Sequence, residues 1–395
     1  MKILHTSDWH LGQRFMGRSR EEEHQVFLSW LVEEILTLHI DLLIVAGDIF
    51  DTGTPPNYAL ELYYRFLTQL LKTPCKTIVI VGGNHDSVST LQTSSPLLKE
   101  LNIHVIASGE EQEESLIECY KEGTLQAVVC AVPFLRDTVV RKSISGESSK
   151  EREQSLNDGI EAYYRAIHKR AYSLVGEREI PIIATGHLTT VGGKVSDSER
   201  ELYIGNSRDI SSDFLAQLFD YVALGHLHHA QKIGQEYVRY SGSPIPLSFS
   251  EAGREKSVTV LSFEGKALEI NSIKIPLHRT LYRLKGDRKS LEKQLQEIED
   301  RSGWIEIEVN DENSYATLQA VQSYAEELGL TILTKKIIQT EATAYQEEMQ
   351  VASLEDITPY EVFEKRLALE EIENEELKEA LESLFKTIET EVSTA

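Results

Sequence analysis

Five stretches of this 395-residue chain share one pattern: a short apolar run, a Gly or other small residue, then His, Asp or Asn. They are KILHTSDWH (2–10), DLLIVAGD (41–48), KTIVIVGGNHD (76–86), PIIATGHL (181–188) and YVALGHLHH (221–229). Apolar runs of this length, rich in Ile, Val and Leu, predict strands buried on both faces. Between them, residues 24–39 and 59–72 carry apolar side chains at i, i+3, i+4 spacing, which predicts amphipathic helices. The alternation predicts an α/β domain. In open α/β sheets ligands collect at the carboxyl ends of strands, and every one of these polar residues falls there.

The remaining chain divides by the same criteria. Residues 137–175 are polar and charged, and predict an exposed helical excursion. Residues 257–275 read as a hairpin turning at Glu264-Gly265 that completes the second sheet of the core. From about 279 a strand–helix–strand–helix–strand unit follows: RTLYRLKG, a helix with Asp287 as N-cap running to about 300, WIEIEVND, a helix over 314–328, Gly329, and LTILTKKII. It predicts a separate small domain. After a polar stretch (341–356), Thr358-Pro359-Tyr360-Glu361 forms a capping box with Pro at the first helical position. In the last helix Leu377, Leu381, Leu384, Phe385 and Ile388 make one apolar stripe. Periodicity alone leaves open whether these helices dock on their own domain or on a partner.

Composition and the lack of targeting patterns sharpen the picture at three points. The three cysteines, Cys75, Cys119 and Cys130, are far apart, which predicts neither a disulfide framework nor a thiolate metal site. The first residues carry no secretion signal, and no apolar run reaches the roughly 18 residues a membrane span needs. A cytoplasmic protein, with no membrane partner, is expected. The net charge of −24 is the opposite of a nucleic-acid footprint, so a nucleic-acid substrate would need positive charge from metal ions, local patches or a basic partner.

The strand-end residues form a coordination problem. Asp8 and His10 lie on one loop, Asp48 on a second, Asn84, His85 and Asp86 on a third, with His187, His226 and His228 on two more. Mixed His/Asp/Asn sets suit manganese, iron or zinc better than calcium or copper. Seven ligands exceed the needs of one metal. They suit a pair bridged by a shared carboxylate, about 3.5–4 Å apart, as used for in-line displacement at phosphorus. The glycines before the ligands are expected to let the backbone turn and to leave room for metal and substrate. Each short motif alone is weak; the ordered set D-x-H, GD, GNHD, GH, GHxH after five apolar strands is specific.

That ordered set resembles the calcineurin-like metallophosphoesterase family over residues 1 to about 250. The resemblance implies a four-layer α/β/β/α sandwich with a dinuclear centre. HTSDWHLG (5–12), GNHDS (83–87), GHLTT with SDSER (186–200) and YSGSPIPLSFSE (240–251) further resemble the family's double-strand-break repair nucleases. The implied organisation is a nuclease domain (1–277), a small α/β capping domain facing DNA (278–340), and a linker with C-terminal helices (341–395). Within the last, LEDITPYEVFEKRL (354–367) looks like the segment that docks on the coiled-coil base of a partner ATPase.

Carried over by position, the resemblance implies Asp8, His10, Asp48 and His228 on one metal, and Asp48, Asn84, His187 and His226 on the other. Asp48 would be the bridge, and His85 the catalytic histidine that is not a ligand. The implied metals are two divalent ions, manganese in the working enzyme, with magnesium, iron or zinc as alternatives. The implied activity is DNA hydrolysis, exonucleolytic on duplexes and endonucleolytic on single strands or hairpins, by a homodimer that forms a heterotetramer with the ATPase. Asp51-Thr52, where some relatives carry an assisting histidine, has no assigned role. Asp86 is expected to brace its loop, Trp9 to be core, and His229 to be a bystander. His5, His24, His39, His104, His168 and His278 are expected to be packed or solvated. Arg14, Arg18 and Arg20 form a basic loop beside Asp8, and Lys194 to Arg200 a loop facing substrate. The competing readings are a phosphodiesterase or phosphatase for small molecules or phosphoproteins, which would not need the small domain and terminal helices, and an inactive scaffold, which would need lost ligands.

Overall fold

The computed structural model describes residues 1–141, 149–194, 209–311 and 313–338. The first sheet contains β1 (Lys2–Thr6), β2 (Leu42–Ala46), β3 (Thr77–Val81) and β4 (Ile103–Ile106), parallel to one another. The second contains β5 (Leu116–Lys121), β6 (Thr124–Cys130), β7 (Ile182–His187), β8 (Tyr221–Gly225), β9 (Gln231–Ile233) and β10 (Gln235–Tyr240). Side chains alternate across each strand, so each sheet has two buried faces. Ile3, Ile44, Val79, Val129, Ile183 and Ala223 meet between the sheets. Leu4, Leu43, Val45 and Ile80 instead pack outward on α1 (Glu21–Leu38) and α2 (Asn57–Leu70). The second sheet packs its outer face on α3 (Ser149–Val175) and α4 (Ser212–Leu218). The result is the expected α/β/β/α order of layers.

Two expectations need correction. The hairpin of β11 (Ser257–Glu264) and β12 (Ala267–Lys274) extends the first sheet, not the second, by pairing β11 antiparallel to β1. β11 is apolar on both faces: Val258 and Val260 join the helix-facing core, while Leu261 and Phe263 join the core between the sheets. The corresponding edge of the second sheet is already closed by β9 and β10. Residues 149–175 are likewise no exposed excursion. Leu156, Ile160, Tyr164, Ile167, Ala171 and Val175 recur at helical spacing and are buried against the second sheet. The many charged residues between them hid that stripe.

The small unit forms as expected, with β13 (Leu281–Gly286), β14 (Trp304–Val309) and β15 (Thr331–Ile337) in a parallel sheet beside α5 (Arg288–Gln296) and α6 (Ser314–Glu327). Asp287 caps α5 by accepting from Ser290 N at 2.8 Å. The unit has its own core around Leu291, Leu295, Ile307 and Val321. It meets the larger domain where Trp304 stacks on Phe15, 5.5 Å between ring centroids and 11° between planes, with Phe249 and Leu281 alongside. The expected C-terminal helices and the loop from 195 to 200 lie outside the described residues.

Candidate metal centre

The parallel strands of both sheets deliver their carboxyl ends to one place. Beyond the strands, Asp8 N donates to Gly47 O and His10 N to Asp48 O, each at 3.0 Å, so the first two loops continue side by side. Three groups of donor atoms result, each within 4.8 Å: Asp8, His10 and His228; His10, Asp48 and His85; Asp48, His187 and His226. Asn84 joins the third, because its Oδ1 lies 2.9 Å from His187 Nε2 and 3.0 Å from His226 Nδ1. All seven expected ligands and His85 are therefore brought together. His229 and the other histidines belong to none of the groups.

Backbone contacts aim the carboxylates. Asp8 accepts from His226 N at 2.8 Å and from the Ser7 hydroxyl at 2.6 Å. Asp48 Oδ1 accepts from His85 N at 3.0 Å, while Oδ2 faces His187 Nε2 at 3.2 Å and His10 Nε2 at 3.6 Å. One oxygen thus addresses both ends of the cluster. His187 donates from Nδ1 to Ala46 O at 2.9 Å, which turns Nε2 toward Asp48 and Asn84.

The strain of these turns rests on the candidate ligands themselves. Asp8 (φ 52°), His10 (48°), Asp48 (49°) and His226 (99°) occupy the left-handed region that side chains disfavour. Gly47 (φ 91°) lets the backbone turn just before Asp48, as expected, and the glycines also make room for neighbouring loops. A Cβ on Gly47 would sit 2.1 Å from His187 Nδ1, and one on Gly83 2.1 Å from Asp48 Oδ1.

The electrostatics fit a cation. Asp8 and Asp48 are buried together, and burial beside Asp48 raises the Asp8 carboxyl to about 7. Burial opposes protonation of His10, but the Asp51 and Asp48 carboxylates outweigh it and hold the ring at about 8. Burial likewise opposes protonation of His187, and Asp48 overrides it to about 9. His228 goes the other way, pushed well down by burial and by the cations His10 and Lys256. Neither ring nitrogen of buried His10 has an aligned hydrogen-bond partner, although Asp51 Oδ1 lies 3.2 Å from Nδ1. Buried carboxylates, imidazoles and an amide oxygen converge here, with protons on His10 and His187 balancing the carboxylates, and such a mixed donor set is one that divalent ions satisfy in place of those protons.

Asp86 braces, as expected: its carboxylate accepts from Gly83 N (2.8 Å), Phe50 N (2.9 Å) and Ile49 N (3.1 Å), tying the Asp48 and Asn84 loops together. Trp9 is core, edge-on to Phe66 and Phe27. Arg20 is a correction. It is fully buried, forked onto Glu23 at 2.6 Å and onto Pro246 O at 2.8 Å, so only Arg14 and Arg18 of that loop remain exposed. Asp51 is the residue the motifs left unassigned. Its only signal was a carboxylate three positions past Asp48 on the same loop.

Fold and site together define a calcineurin-like phosphoesterase, and that family's profile matches residues 1–230. A second profile, the type 5 capsule protein repressor C-terminal domain (SbcD_C), matches residues 278–371. The chain is 43% identical to the SbcD component of the SbcCD nuclease of Escherichia coli K12, across 98% of its own length and 97% of that protein. The SbcD protein of Rhodobacter capsulatus is 37% identical over 68% of this chain and 67% of its own length, and that of Bacillus subtilis 34% over 78% and 79%. The chain belongs to the SbcD family of nucleases. It is a metal-dependent phosphodiesterase acting as a nuclease. No helix among the described residues is long and apolar enough to cross a membrane.

Proposed function

We propose that this nuclease cuts DNA together with an SbcC ATPase, using two divalent ions, manganese in the working enzyme. Asp8, His10, Asp48 and His228 would hold one ion, and Asp48, Asn84, His187 and His226 the other. The observation that carries this reading is Asp48 Oδ2, which faces His10 and His187 from the two ends of the cluster at once. When bound, the ions supply an activated water and offset charge on the non-bridging phosphate oxygens. The carboxylates are held by backbone donors, so they do not swing as charge develops. His85 donates from Nδ1 to Asp51 O at 2.9 Å, leaving Nε2 to carry the transferable proton. From there it acts as general acid toward the departing sugar oxygen. No covalent bond to the enzyme is needed.

The relatives are named as parts of the SbcCD nuclease, which supports the SbcC partnership. In this reading residues 1–277 form the nuclease domain, 278–340 a cap facing DNA, and 341–395 the SbcC-binding segment. Two copies pair, giving a heterotetramer with SbcC in the cytoplasm that processes DNA ends in repair, recombination and replication as exonuclease and endonuclease. With a net charge of −24, the isolated chain should bind duplex weakly and gain affinity from SbcC. End-labelled linear and hairpin DNA, with and without manganese and alongside bis-p-nitrophenyl phosphate, tests the proposal. Manganese-dependent DNA cleavage, lost in Asp48→Ala, is expected. Cleavage of the small diester alone, even with SbcC and ATP, would favour a small-molecule phosphodiesterase.

A further inference from the structure

Behind the His228 side of the site lies an ion pair between Glu251 and Lys256, whose side chains are 1% and 5% exposed. Besides Glu251, the Lys256 ammonium donates to Ser243 Oγ at 2.8 Å and to the His228 carbonyl at 3.0 Å, which uses all three of its hydrogens. The same carbonyl accepts from Ser243 N at 3.2 Å. Glu251 Oε1 accepts from Leu247 N at 3.2 Å, closing the turn between Leu247 and Glu251. Lys256 is itself anchored at the foot of β11, where its carbonyl accepts from Ile275 N at 2.8 Å.

The bracket reaches the other side of the same corner. The Ser241 hydroxyl donates to His5 O at 3.0 Å. The Ser7 hydroxyl, which donates to Asp8 at 2.6 Å, lies 3.4 Å from Gly242 O. Residues 241–243 therefore touch both the strand end that carries Asp8 and the loop that carries His228. A buried ion pair is not an economical way to stabilise a core, since apolar residues of similar volume often do as well or better. What it adds here is a fixed direction: three donors aimed at three segments, one of them the backbone of His228.

We infer that Lys256, paired with Glu251, is a positioning residue that holds the His228 loop so that His228 completes the corner made by Asp8 and His10. The inference rests on the proposed reading of His228 as a ligand, and acts through its backbone rather than through any contact with substrate. Removing the lysine alone would strand a buried carboxylate. The informative variant is therefore the double change Glu251→Leu/Lys256→Met, made in the full chain.

Calorimetric titration with Mn2+ should show two classes of site in the parent protein. In the double variant one class should weaken about 10–100-fold while the other is unchanged. Cleavage at limiting manganese should fall in proportion and recover as manganese is raised. His228→Ala, run beside it, separates the two levels of the argument. If His228→Ala leaves both classes intact, the ligand reading fails. If it loses one class while the double variant keeps both, the positioning inference fails and the ion pair is only structural, to be seen as a changed melting temperature alone. Should the apolar pair not fold, Glu251→Gln/Lys256→Gln keeps polarity, but Gln is one atom too short to reach the His228 carbonyl. The same weakening is expected there, and parental manganese affinity in it would overturn the inference.

Discussion

His85 Nδ1 donates to the backbone carbonyl of Asp51 at 2.9 Å, and the Asp51 carboxylate lies 3.2 Å from His10 Nδ1. One residue therefore addresses both the proposed general acid and a proposed ligand, through different groups. Because the contact to His85 is from the main chain, substitution at Asp51 can separate the two roles. The His85 backbone also faces inward, its N–H holding Asp48 Oδ1. The imidazole and the proposed bridging carboxylate of Asp48 are thus set by one short loop.

Replacing His85 by Ala should lower DNA cleavage by about 10²–10⁴-fold, the range for losing a general acid. Metal content, read by elemental analysis, should be unchanged. On bis-p-nitrophenyl phosphate the loss should be much smaller, because p-nitrophenolate leaves without a proton. Equal losses on both substrates would argue against the general-acid role.

Asp51→Asn removes the carboxylate beside His10 and leaves the carbonyl that orients His85. We expect manganese affinity to fall about 10–100-fold, the usual effect of losing a carboxylate behind a ligand histidine. Cleavage should return as manganese is raised, unlike the His85 variant. A loss that excess manganese does not relieve would mean that Asp51 acts on the reaction and not on the metal.

Much of this was legible in the sequence, because strand, loop and ligand repeat the same short pattern five times. The apolar runs were long enough to demand double-sided burial, and the motifs sat at their ends. What was not legible depended on partners far along the chain. β11 could have closed either sheet, and only the free edge of β1 decided it. The helix stripe from Leu156 to Val175 was masked by charged residues on its other faces. Arg20 read as part of a basic loop because, apart from Glu23 three residues on, the groups that enclose it, Pro246 O and the Trp304 ring, lie far along the chain. Asp51 and Lys256 carry no motif at all, since each acts on a histidine held by another segment.

The spacing at Gly83 gives a sharper steric test than any ligand substitution. A Cβ there would fall 2.1 Å from Asp48 Oδ1 and 2.3 Å from Asp48 N, one of which is backbone and cannot turn aside. Gly83→Ala should push the two loops apart and cost both metal affinity and activity by at least about 10-fold, with the fold retained because neighbouring strands are unaffected. Far-ultraviolet circular dichroism together with a manganese titration checks both halves. Parental manganese affinity in this variant would show that the loops have slack the packing does not suggest.

The protonation of the metal-free site predicts how loading depends on pH. His10 and His187 are held at about 8 and about 9, above the ordinary value of 6.5, so both carry a proton on the ring at pH 7. Burial raises the Asp8 carboxyl in the same direction, so it too holds its proton to higher pH than an ordinary carboxyl. A metal ion and a proton compete for the same atoms, so each raised group lowers apparent affinity below its own pKa and stops doing so above it. Manganese affinity should therefore climb steadily from pH 6 to about 9 and then level off. At pH 7 loading should release protons, with His10 and His187 as the main sources. Calorimetry in buffers of different ionisation enthalpy measures that release directly, as the slope of observed heat against buffer heat. A slope near zero at pH 7 would mean that the histidines are already neutral, and that the carboxylates around them do not set the charge of the empty site.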